Sequence, residues 1–386
     1  MDKTKPMLPR ERILAALNRQ PVDRIPYCEH LVDTRVALAS LDEEERAEML
    51  QWAAARLGID KPVRNLDELR TILAEGSYGR GGLFMLMGIL EAEISRRIHR
   101  DNITYWGGAS CFTQGTYLLD PTTPELGASA DGVLKTRDDM TKMVFRDIEP
   151  VIEGAKAFLE HKGDLAACAL VFLGIDPVWH SMGFETFSIA CLLDPELVGL
   201  VLGPVSDWYA AVTKELCKLD FDFIWAADDI AFHTAPFFSP TVYREVLLPH
   251  TRKVAEEITL PWIYHSDGNL LPIWDDLTSQ GMNAIHPLEA GSMDLHQLKA
   301  DYGDQISFVG GVDLRILEAG TPEETRETTR EMIRILGADY GYLLGASNSI
   351  TPNVKPGNFR AMVETLLEYG EYPLTCNHAG DILCPI

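Results

Sequence analysis

Short apolar runs alternate with amphipathic helical segments through the second half of the chain, and no other sequence feature restricts the fold as strongly. The apolar runs, each of strand length, are "LAACALVFLG", "FDFIWAADD", "LPWIYHSDG", "MNAIHPLEA", "ISFVGGVD" and "YGYLLGASN". Helical patterns such as "PTVYREVLLPHTRKVAEEI" and "PEETRETTREMIRIL" separate them. Strands that are each followed by a helix form a parallel sheet with helices packed on its faces.

Two earlier segments bring the strand count to about eight, the number that a closed barrel of strand–helix units needs. They are "DRIPYCEH", which contains Ile25, and "NITYWGG", which starts at Asn102. We therefore predict an α/β fold, a (β/α)8 TIM barrel that occupies residues 1–386 as one domain, with an N-terminal helical extension and an irregular insertion at residues 80–145. A doubly wound open sheet is the alternative, but no glycine-rich phosphate loop follows an early strand.

The charge balance excludes whole classes of partner. The 386 residues include 34 Lys and Arg against 58 Asp and Glu, which gives a net charge of −24. Such an acidic surface repels phosphate backbones and anionic lipid, so we expect no nucleic-acid partner and no membrane association. The 7 cysteines are an odd number and the N-terminus has no apolar targeting core, which favours a reducing, cytoplasmic location.

Polar side chains follow the apolar runs at a consistent position, just past the carboxyl end of each run. They are Glu29, His30, Asp228, Asp229, His265, Asp267, Glu289, Asp313, Ser347 and Asn348. The carboxyl ends of barrel strands converge on one mouth, where the active sites of such barrels lie. Asp, Asn and Ser also cap helices, and we interpret Asp313 in that way. Because His and Glu are poor caps, the set as a whole indicates a functional site.

His265, Asp267 and Glu289 are the candidates for metal binding. His265 and Asp267 are alternate residues at the end of one strand and face the same side if the strand stays extended, and Glu289 ends the next strand. A catalytic zinc takes three ligands from His, Cys, Asp or Glu and leaves one position open. A single His at a strand end is more commonly a hydrogen-bonded structural residue, so this spacing alone leaves both roles open.

Acid–base and substrate-binding roles fall to other residues near the predicted mouth. The adjacent Asp228 and Asp229 cannot face the same way on a strand, and Asp229 is our first catalytic candidate, with Glu29 as the second. Residues predicted to contact the substrate are His30, Trp179, His180, Ser347 and Asn348.

The cysteines carry less information. Cys168, Cys191 and Cys217 lie in apolar contexts that predict core positions, whereas Cys28, beside Glu29, could reach the mouth. In the C-terminal segment "CNHAGDILC", the spacing of Cys376, His378 and Cys384 looks like that of metal ligands. Thiols in a terminal segment are more commonly unpaired or packed, so we assign these residues no site.

Six segments of the chain resemble the uroporphyrinogen decarboxylase-like superfamily, and they occur in the order found in that family. They are "PRERILAALNRQPVDRIP", "GFETFSIACLLDPELVGLVL", "SPTVYREVLLPHTRKV", "YHSDGNLLPIWDDL", "FVGGVDLRILEAGTPEE" and "NFRAMVETL". The resemblance implies a (β/α) barrel. It also implies one of two activities: decarboxylation of uroporphyrinogen, or zinc-dependent methyl transfer to a corrinoid protein or from a methyl-corrinoid to a thiol.

The region after the first strand separates these two branches. The decarboxylases carry an arginine-rich segment there, which binds the carboxylates of the substrate. This sequence has "YCEHLVDTR" instead, in which Arg35 is the nearby cation and Glu29 is acidic. A polyanionic porphyrinogen would lack the bidentate arginine contacts that it needs. The sequence is therefore closer to the methyltransferase branch.

The resemblance also implies a metal-ligand set. Methyltransferases of this branch use a His-x-Cys pair and a Cys near the last strand, and the related cobalamin-independent methionine synthases add a Glu. His265 matches the histidine, Asp267 stands at the first cysteine, Glu289 matches the Glu, and Ser347 and Asn348 surround the second cysteine position. An oxygen-rich set is harder than a thiolate site, so it suits the polarisation of an ether or similar methyl donor better than the activation of a thiol.

These observations predict a methyltransferase of the demethylating kind. A small methoxylated or methylated donor would bind in the mouth, and zinc would polarise its leaving heteroatom. A corrinoid on a separate protein would accept the methyl group, since this chain has no D-x-H-x-x-G corrinoid-binding segment. The alternatives are a metal-independent decarboxylase or lyase acting on a small acid or porphyrinogen-like substrate, and a non-catalytic tetrapyrrole or metabolite binder. Exposed apolar positions are compatible with a homodimer.

Overall fold

A parallel sheet of 7 strands forms the centre of the molecule, and each strand pairs with the next one along the chain. The computed structural model describes residues 6–56, 58–59, 62–65, 68, 89–119 and 131–374. The strands are β1 Asn102–Tyr105, β2 Ala166–Phe172, β3 Phe223–Ala227, β4 Trp262–His265, β5 Ala284–His286, β6 Ser307–Val312 and β7 Tyr342–Ala346. Each of these strands lies within an apolar segment identified in the sequence, so the predicted α/β fold is confirmed.

The segment around Tyr27 contacts both edges of this curled sheet. Tyr27 forms a parallel bridge with Leu344 of β7, and the Leu344 N–H donates to Pro26 O at 2.9 Å. On its other side, the Tyr27 carbonyl accepts from the N–H of Asp101, which precedes β1, at 2.8 Å. The first predicted strand is therefore a single-residue bridge between β7 and β1, and the closed ladder of a full barrel remains a prediction.

Helices follow the strands, as the alternating pattern predicts. Those after β1 are α4 Glu149–Leu159, α5 Ile175–Met182, α6 Phe184–Leu193, α7 Pro195–Leu216, α8 Leu248–Ala255, α9 Trp274–Thr278, α10 Leu295–Tyr302, α11 Leu314–Ala319, α12 Pro322–Leu336 and α13 Pro356–Tyr369. A short turn of α-helix (Pro240–Val242) and a π-helical turn (Tyr243–Leu247) lead into α8, and 3₁₀ turns occupy Gly107–Ala109, Arg137–Lys142, Leu271–Ile273 and Gly337–Asp339.

The N-terminal helices precede the sheet. They are α1 Pro9–Leu17, α2 Thr34–Ser40 and α3 Glu43–Arg56. None of the described helices is by itself both long and apolar enough for a membrane crossing; α6 and α7 reach that length and composition only as a pair, with a bend of 118° between them.

Alternate residues of each strand pack into two different cores. Side chains of one parity, such as Trp225 of β3, Ile263 of β4 and Leu343 of β7, form an inner cluster that also contains Ile13 and Leu17 of α1. Side chains of the other parity pack in a larger cluster with the helices that follow the strands. This period of two follows from strand geometry, and α1 fills the inner space with apolar side chains.

The predicted irregular insertion at residues 80–145 is only partly irregular. It includes β1, and the described remainder carries isolated antiparallel bridges, such as Leu119 with Gly132. A 3₁₀ turn follows at Arg137–Lys142. Residues 80–88 and 120–130 lie outside the described residues, as does the tail with Cys376, His378 and Cys384.

Candidate metal and substrate site

The alternation that fills the interior also determines which polar residues face it. Ile263 of β4 and Ala284 of β5 lie in the inner cluster. His265 and His286 stand two residues further along these strands and are register partners. Residues two apart on a strand share a face, so both imidazoles project above the inner core, at the carboxyl ends of β4 and β5.

Three imidazoles meet at this position. His30, His265 and His286 are all buried, with exposed fractions of 5%, 8% and 0%. One ring nitrogen from each lies within 4.8 Å of the other two. His265 Nδ1 and His286 Nδ1 are 2.6 Å apart, within hydrogen-bond distance. The indole ring of Trp225 packs beside this group, with its centroid 4.9 Å from that of His286.

The hydrogen bonds of this imidazole group are incomplete. His30 Nε2 lies 2.8 Å from the Ser349 hydroxyl, whereas His30 Nδ1 and His286 Nε2 are buried without a partner among the described residues. Burial, with a smaller contribution from the neighbouring His265, lowers the pKa of His30 and of His286 well below the usual value. These two rings are therefore neutral, and each carries one nitrogen lone pair.

Carboxylates lie on the other side of His265. Asp229, His265 and Asp267 offer ligand atoms that are all within 4.8 Å of one another. His265 Nε2 is 3.5 Å from Asp229 Oδ1, which also accepts from the Asp267 N–H at 3.1 Å. The Asp229 side chain is 41% exposed, so this group opens to solvent. One imidazole, two carboxylates and an open side are a donor set that fits a catalytic zinc or a similar divalent ion.

Asn348 holds the second of these carboxylates. Its side-chain amide donates to Asp267 Oδ1 at 3.0 Å and to Oδ2 at 2.7 Å. Burial raises the pKa of Asp267 to about 6; Asp229 and Glu289 add to the rise, and His265 and Asn348 oppose it. Of the pair assigned to substrate, Asn348 thus contacts a candidate metal ligand. Ser347 instead accepts from the Leu314 N–H at the start of α11, at 3.0 Å.

Glu289 is not part of either histidine group. Its Oε1 lies 3.2 Å from Nδ1 of His233, a residue of the loop after β3. The chain turns between β5 and Glu289, where Leu288 has a φ of +60°. This turn directs the glutamate towards the neighbouring loop, so Asp229 stands beside His265 where the sequence assigned Glu289.

The adjacent Asp228 and Asp229 point in opposite directions, as strand alternation predicts. Asp228 Oδ1 accepts from the N–H groups of Gly174 (3.2 Å) and Asp176 (2.9 Å) and so supports the start of α5. Burial raises the pKa of Asp228 to about 7. Asp229, by contrast, faces His265.

Trp179 and His180 lie beside the carboxylate group. Trp179 Nε1 donates to the Asp229 carbonyl at 2.9 Å, and its ring stacks on His180 with centroids 3.5 Å apart. His180 Nε2 is 3.5 Å from Asp176 Oδ1, and the Tyr117 hydroxyl donates to the other oxygen of that carboxyl at 3.0 Å. Burial raises the pKa of Asp176 well above its usual value and lowers that of His180 to about 4, so the His180 ring is neutral at pH 7.

Glu29 and Cys28 are enclosed. Glu29 is fully buried, and its Oε1 accepts from the Ala346 N–H at 2.7 Å. Burial raises the pKa of Glu29 well above its usual value, which favours its protonated form. Cys28 belongs to the inner core and does not reach the mouth. Arg35, the cation nearest to the position of the decarboxylases' arginines, forms an ion pair with Asp33 at 3.3 Å.

Sequence reasoning missed His286 and Ser349. His286 follows the apolar run "NAI" just as His265 follows "WIY", so the equivalent ends of two consecutive predicted strands were the signal that could have identified it. Ser349 had no comparable signal, because its contact with His30 joins residues that are 319 positions apart.

Comparison with known proteins finds a matching family. Residues 178–369 match the family model described as uroporphyrinogen decarboxylase (URO-D). The chain carries a uroporphyrinogen decarboxylase-like domain over these residues. The resemblance read from the sequence is thereby confirmed.

Curated relatives come from both branches of the superfamily. A methylated-thiol–coenzyme M methyltransferase of Methanosarcina mazei is 25% identical over 222 residues, which cover 57% of this chain and 58% of that protein. A uroporphyrinogen decarboxylase of Chlorobium limicola is 23% identical over 184 residues, covering 45% of this chain and 50% of that protein. The chain thus spans 50–58% of the length of these relatives.

The fold as a whole has a solved counterpart. A methyltransferase from Methanosarcina mazei superposes with a TM-score of 0.64 over 94% of this chain and 99% of that one, at 17% sequence identity. At this identity the likeness concerns the fold alone. The shared fold covers 94% of this chain and therefore includes regions before residue 178.

Proposed function

We propose that this uroporphyrinogen decarboxylase-like protein is a methyltransferase that moves a methyl group from a small methoxylated or methylated donor to a corrinoid held by a separate protein. The observation that carries the proposal is the group of Asp229, His265 and Asp267, which opens to solvent at the strand ends. The similarity to a methyltransferase of Methanosarcina mazei supports the same branch. Cytoplasmic location is part of this proposal.

A zinc ion is the proposed cofactor, held by His265, Asp229 and Asp267, with Glu289 near the set. When bound, it would supply Lewis acidity to the heteroatom of the methyl donor. Asn348 orients the Asp267 carboxylate through its two hydrogen bonds. The Asp267 N–H holds Asp229 in the same way at 3.1 Å. Such outer contacts fix the direction of ligand lone pairs and tune affinity.

Aromatic side chains supply an apolar wall beside the carboxylates. Trp179, Phe184, Phe232 and Phe237 contact one another, with ring centroids 4.5–5.8 Å apart. Phe232 is 52% exposed, and Trp179 is tied to Asp229 by its indole N–H. We assign this wall, with His180, to the organic part of the donor, because apolar contacts position a neutral substrate and exclude water from the reacting bond.

The proposed reaction breaks one bond and forms another. The methyl carbon–heteroatom bond cleaves heterolytically, and the electron pair stays on the heteroatom, which then takes up a proton from solvent. The lone pair of the Co(I) corrinoid forms the new cobalt–carbon bond, so that cobalt becomes methyl-Co(III). We assign the exchange of that proton with solvent to Asp229, whose side chain is 41% exposed.

The test uses purified protein loaded with zinc, free cob(I)alamin as the acceptor, and a panel of methanol, methylamines and methoxylated aromatics. We expect the visible spectrum of cob(I)alamin to convert to that of methylcobalamin with at least one donor. Conversion should be lost in His265→Gln and kept in His296→Gln, an exposed histidine on α10. Consumption of a carboxylic acid that continues in chelator, with no methyl-cobalt from any donor, would favour the decarboxylase or lyase alternative instead.

A further inference from the structure

We propose that His30, His265 and His286 form a second metal-binding site, for a divalent first-row transition ion, on the buried side of His265. This site is separate from the carboxylate group assigned to methyl transfer. It shares only His265 with that group, and it requires neither a methyl donor nor a corrinoid. Its presence can therefore be tested whether or not methyl transfer takes place.

Geometry is the first argument. One nitrogen of each ring lies within 4.8 Å of the others, and the three rings are almost completely enclosed. Ring centroids of His30 lie 5.0 Å from those of both His265 and His286. Three imidazoles that converge from three separate parts of the chain are the protein half of a trihistidine metal site, in which the fourth position belongs to a small ligand.

Unpartnered nitrogens are the second argument. In the part of the chain that the structure describes, His30 Nδ1 and His286 Nε2 are buried and have no hydrogen-bond partner, although buried polar atoms normally have one. The other nitrogen of His30 is occupied by Ser349 at 2.8 Å. A ligating imidazole is typically held in this way, with one nitrogen on an outer partner and the other free for the metal.

The donor chemistry defines the class of ion. Neutral imidazoles suit Zn²⁺, Co²⁺, Ni²⁺, Cu²⁺ or Fe²⁺, whereas Mg²⁺ and Ca²⁺ prefer oxygen ligands. Two nitrogens on one tetrahedral ion stand about 3.3 Å apart, given metal–nitrogen bonds of about 2.0–2.1 Å. The three histidines offer ring nitrogens that lie within 4.8 Å of one another, so small side-chain rotations bring them to this spacing.

The experiment first removes the carboxylate ligands beside His265 and then removes the other imidazoles. The double variant Asp229→Asn with Asp267→Asn removes the carboxylate charges and leaves every imidazole in place. It is dialysed against Co²⁺ and, separately, Zn²⁺; bound metal is counted by elemental analysis, and X-ray absorption spectroscopy reports the number of imidazole ligands. We expect about one ion per chain with an imidazole-only ligand set. Adding His286→Gln or His30→Gln to this background should abolish binding.

Several results would overturn the proposal. One is a double variant that binds no transition metal while its thermal unfolding matches that of wild type. Another is a wild-type ion with a single imidazole ligand that is unaffected by His30→Gln. Because a buried substitution can disturb folding, Ser349→Ala serves as a milder test that leaves all three imidazoles intact. It should weaken Co²⁺ binding to the double variant by about 10-fold, and unchanged binding would argue against the site.

Discussion

The two sides of His265 differ in both donor chemistry and exposure. On one side stand Asp229 and Asp267, with the Asp229 side chain 41% exposed; on the other stand His30 and His286, which are 5% and 0% exposed. A metal among the carboxylates can reach an organic donor from solvent. A metal among the imidazoles is shielded by Trp225 and its neighbours. We therefore propose that substrate chemistry takes place on the carboxylate side, and that the imidazole side retains a metal or positions His265.

This difference follows from how each residue is placed on the strands. His30 and His286 each lie two residues after an inner-core residue, Cys28 and Ala284 respectively, so they stay close to the packed interior. Asp229 and Asp267 lie two residues past the ends of β3 and β4, where the backbone leaves the sheet. All four side chains thus face inward, but the two imidazoles lie near the packed core and the two carboxylates lie closer to solvent.

The largest effect should come from His265→Gln, because this residue belongs to both sides. Glutamine keeps much of the volume but provides no imidazole nitrogen. We expect zinc and Co²⁺ affinity to fall by more than 100-fold, beyond the loss typical of an outer contact, and methyl transfer to disappear. Equilibrium dialysis and the methylcobalamin assay measure these two losses. Metal binding near the wild-type level would show that neither group is a metal site.

Asp229→Asn should weaken metal binding at the solvent-open carboxylate group and leave the imidazole group intact. The amide is nearly isosteric but neutral, so the zinc on the carboxylate group loses an anionic ligand, and we expect affinity there to fall by about 100-fold and methyl transfer with it. The matched control is Glu289→Gln, which neutralises a carboxylate that contacts His233 instead of His265. Its zinc affinity should stay close to wild type. If the two variants exchanged these results, Glu289 would be the ligand and Asp229 would not.

Asn348→Ala should have a smaller effect on the same side. It removes both hydrogen bonds to Asp267 but keeps every proposed ligand, so we expect zinc affinity to fall by about 10-fold. Isothermal titration with zinc measures the change. Ser347→Ala is the neighbouring control, because the Ser347 hydroxyl accepts from the Leu314 N–H at the start of α11. The zinc affinity of this variant should not change. Equal losses in both variants would indicate a general disturbance of the loop after β7.

Much of this architecture can be predicted from the sequence, because strand periodicity is a local property. The apolar runs located the strands, and their polar ends identified His265, Asp267 and Asp229 as neighbours. The role of Glu289 could not be predicted in this way. Its direction depends on the backbone turn at Leu288, which spacing alone does not reveal. Long-range contacts, such as Asn348 with Asp267 or Ser349 with His30, likewise depend on the packing of loops that are distant in sequence.

The smallest predicted effect concerns His180, a neutral histidine outside both metal groups. Burial lowers its pKa from the usual 6.5 to about 4, although Asp229 opposes the change; Asp176 and Tyr117 are the other titratable groups that it faces. Above pH 6.5 the ring is neutral in both folded and unfolded chains, so the full stability is present. Between pH 6.5 and 4 the unfolded chain binds a proton that the folded chain does not, and stability falls as the pH falls.

We expect the free energy of unfolding to fall by on the order of 1 to 2 kcal/mol between pH 6.5 and pH 4 because of His180, after allowance for solvent screening. Urea unfolding in chelator, from pH 7 to pH 4, measures it, and His180→Gln should flatten the pH dependence relative to wild type. His30 and His286 remain in this variant, so part of the acid sensitivity should persist. His296→Gln provides the exposed control with an unchanged slope. If His180→Gln left the slope unchanged, the acid sensitivity of the site would belong to the buried imidazole side of His265 alone.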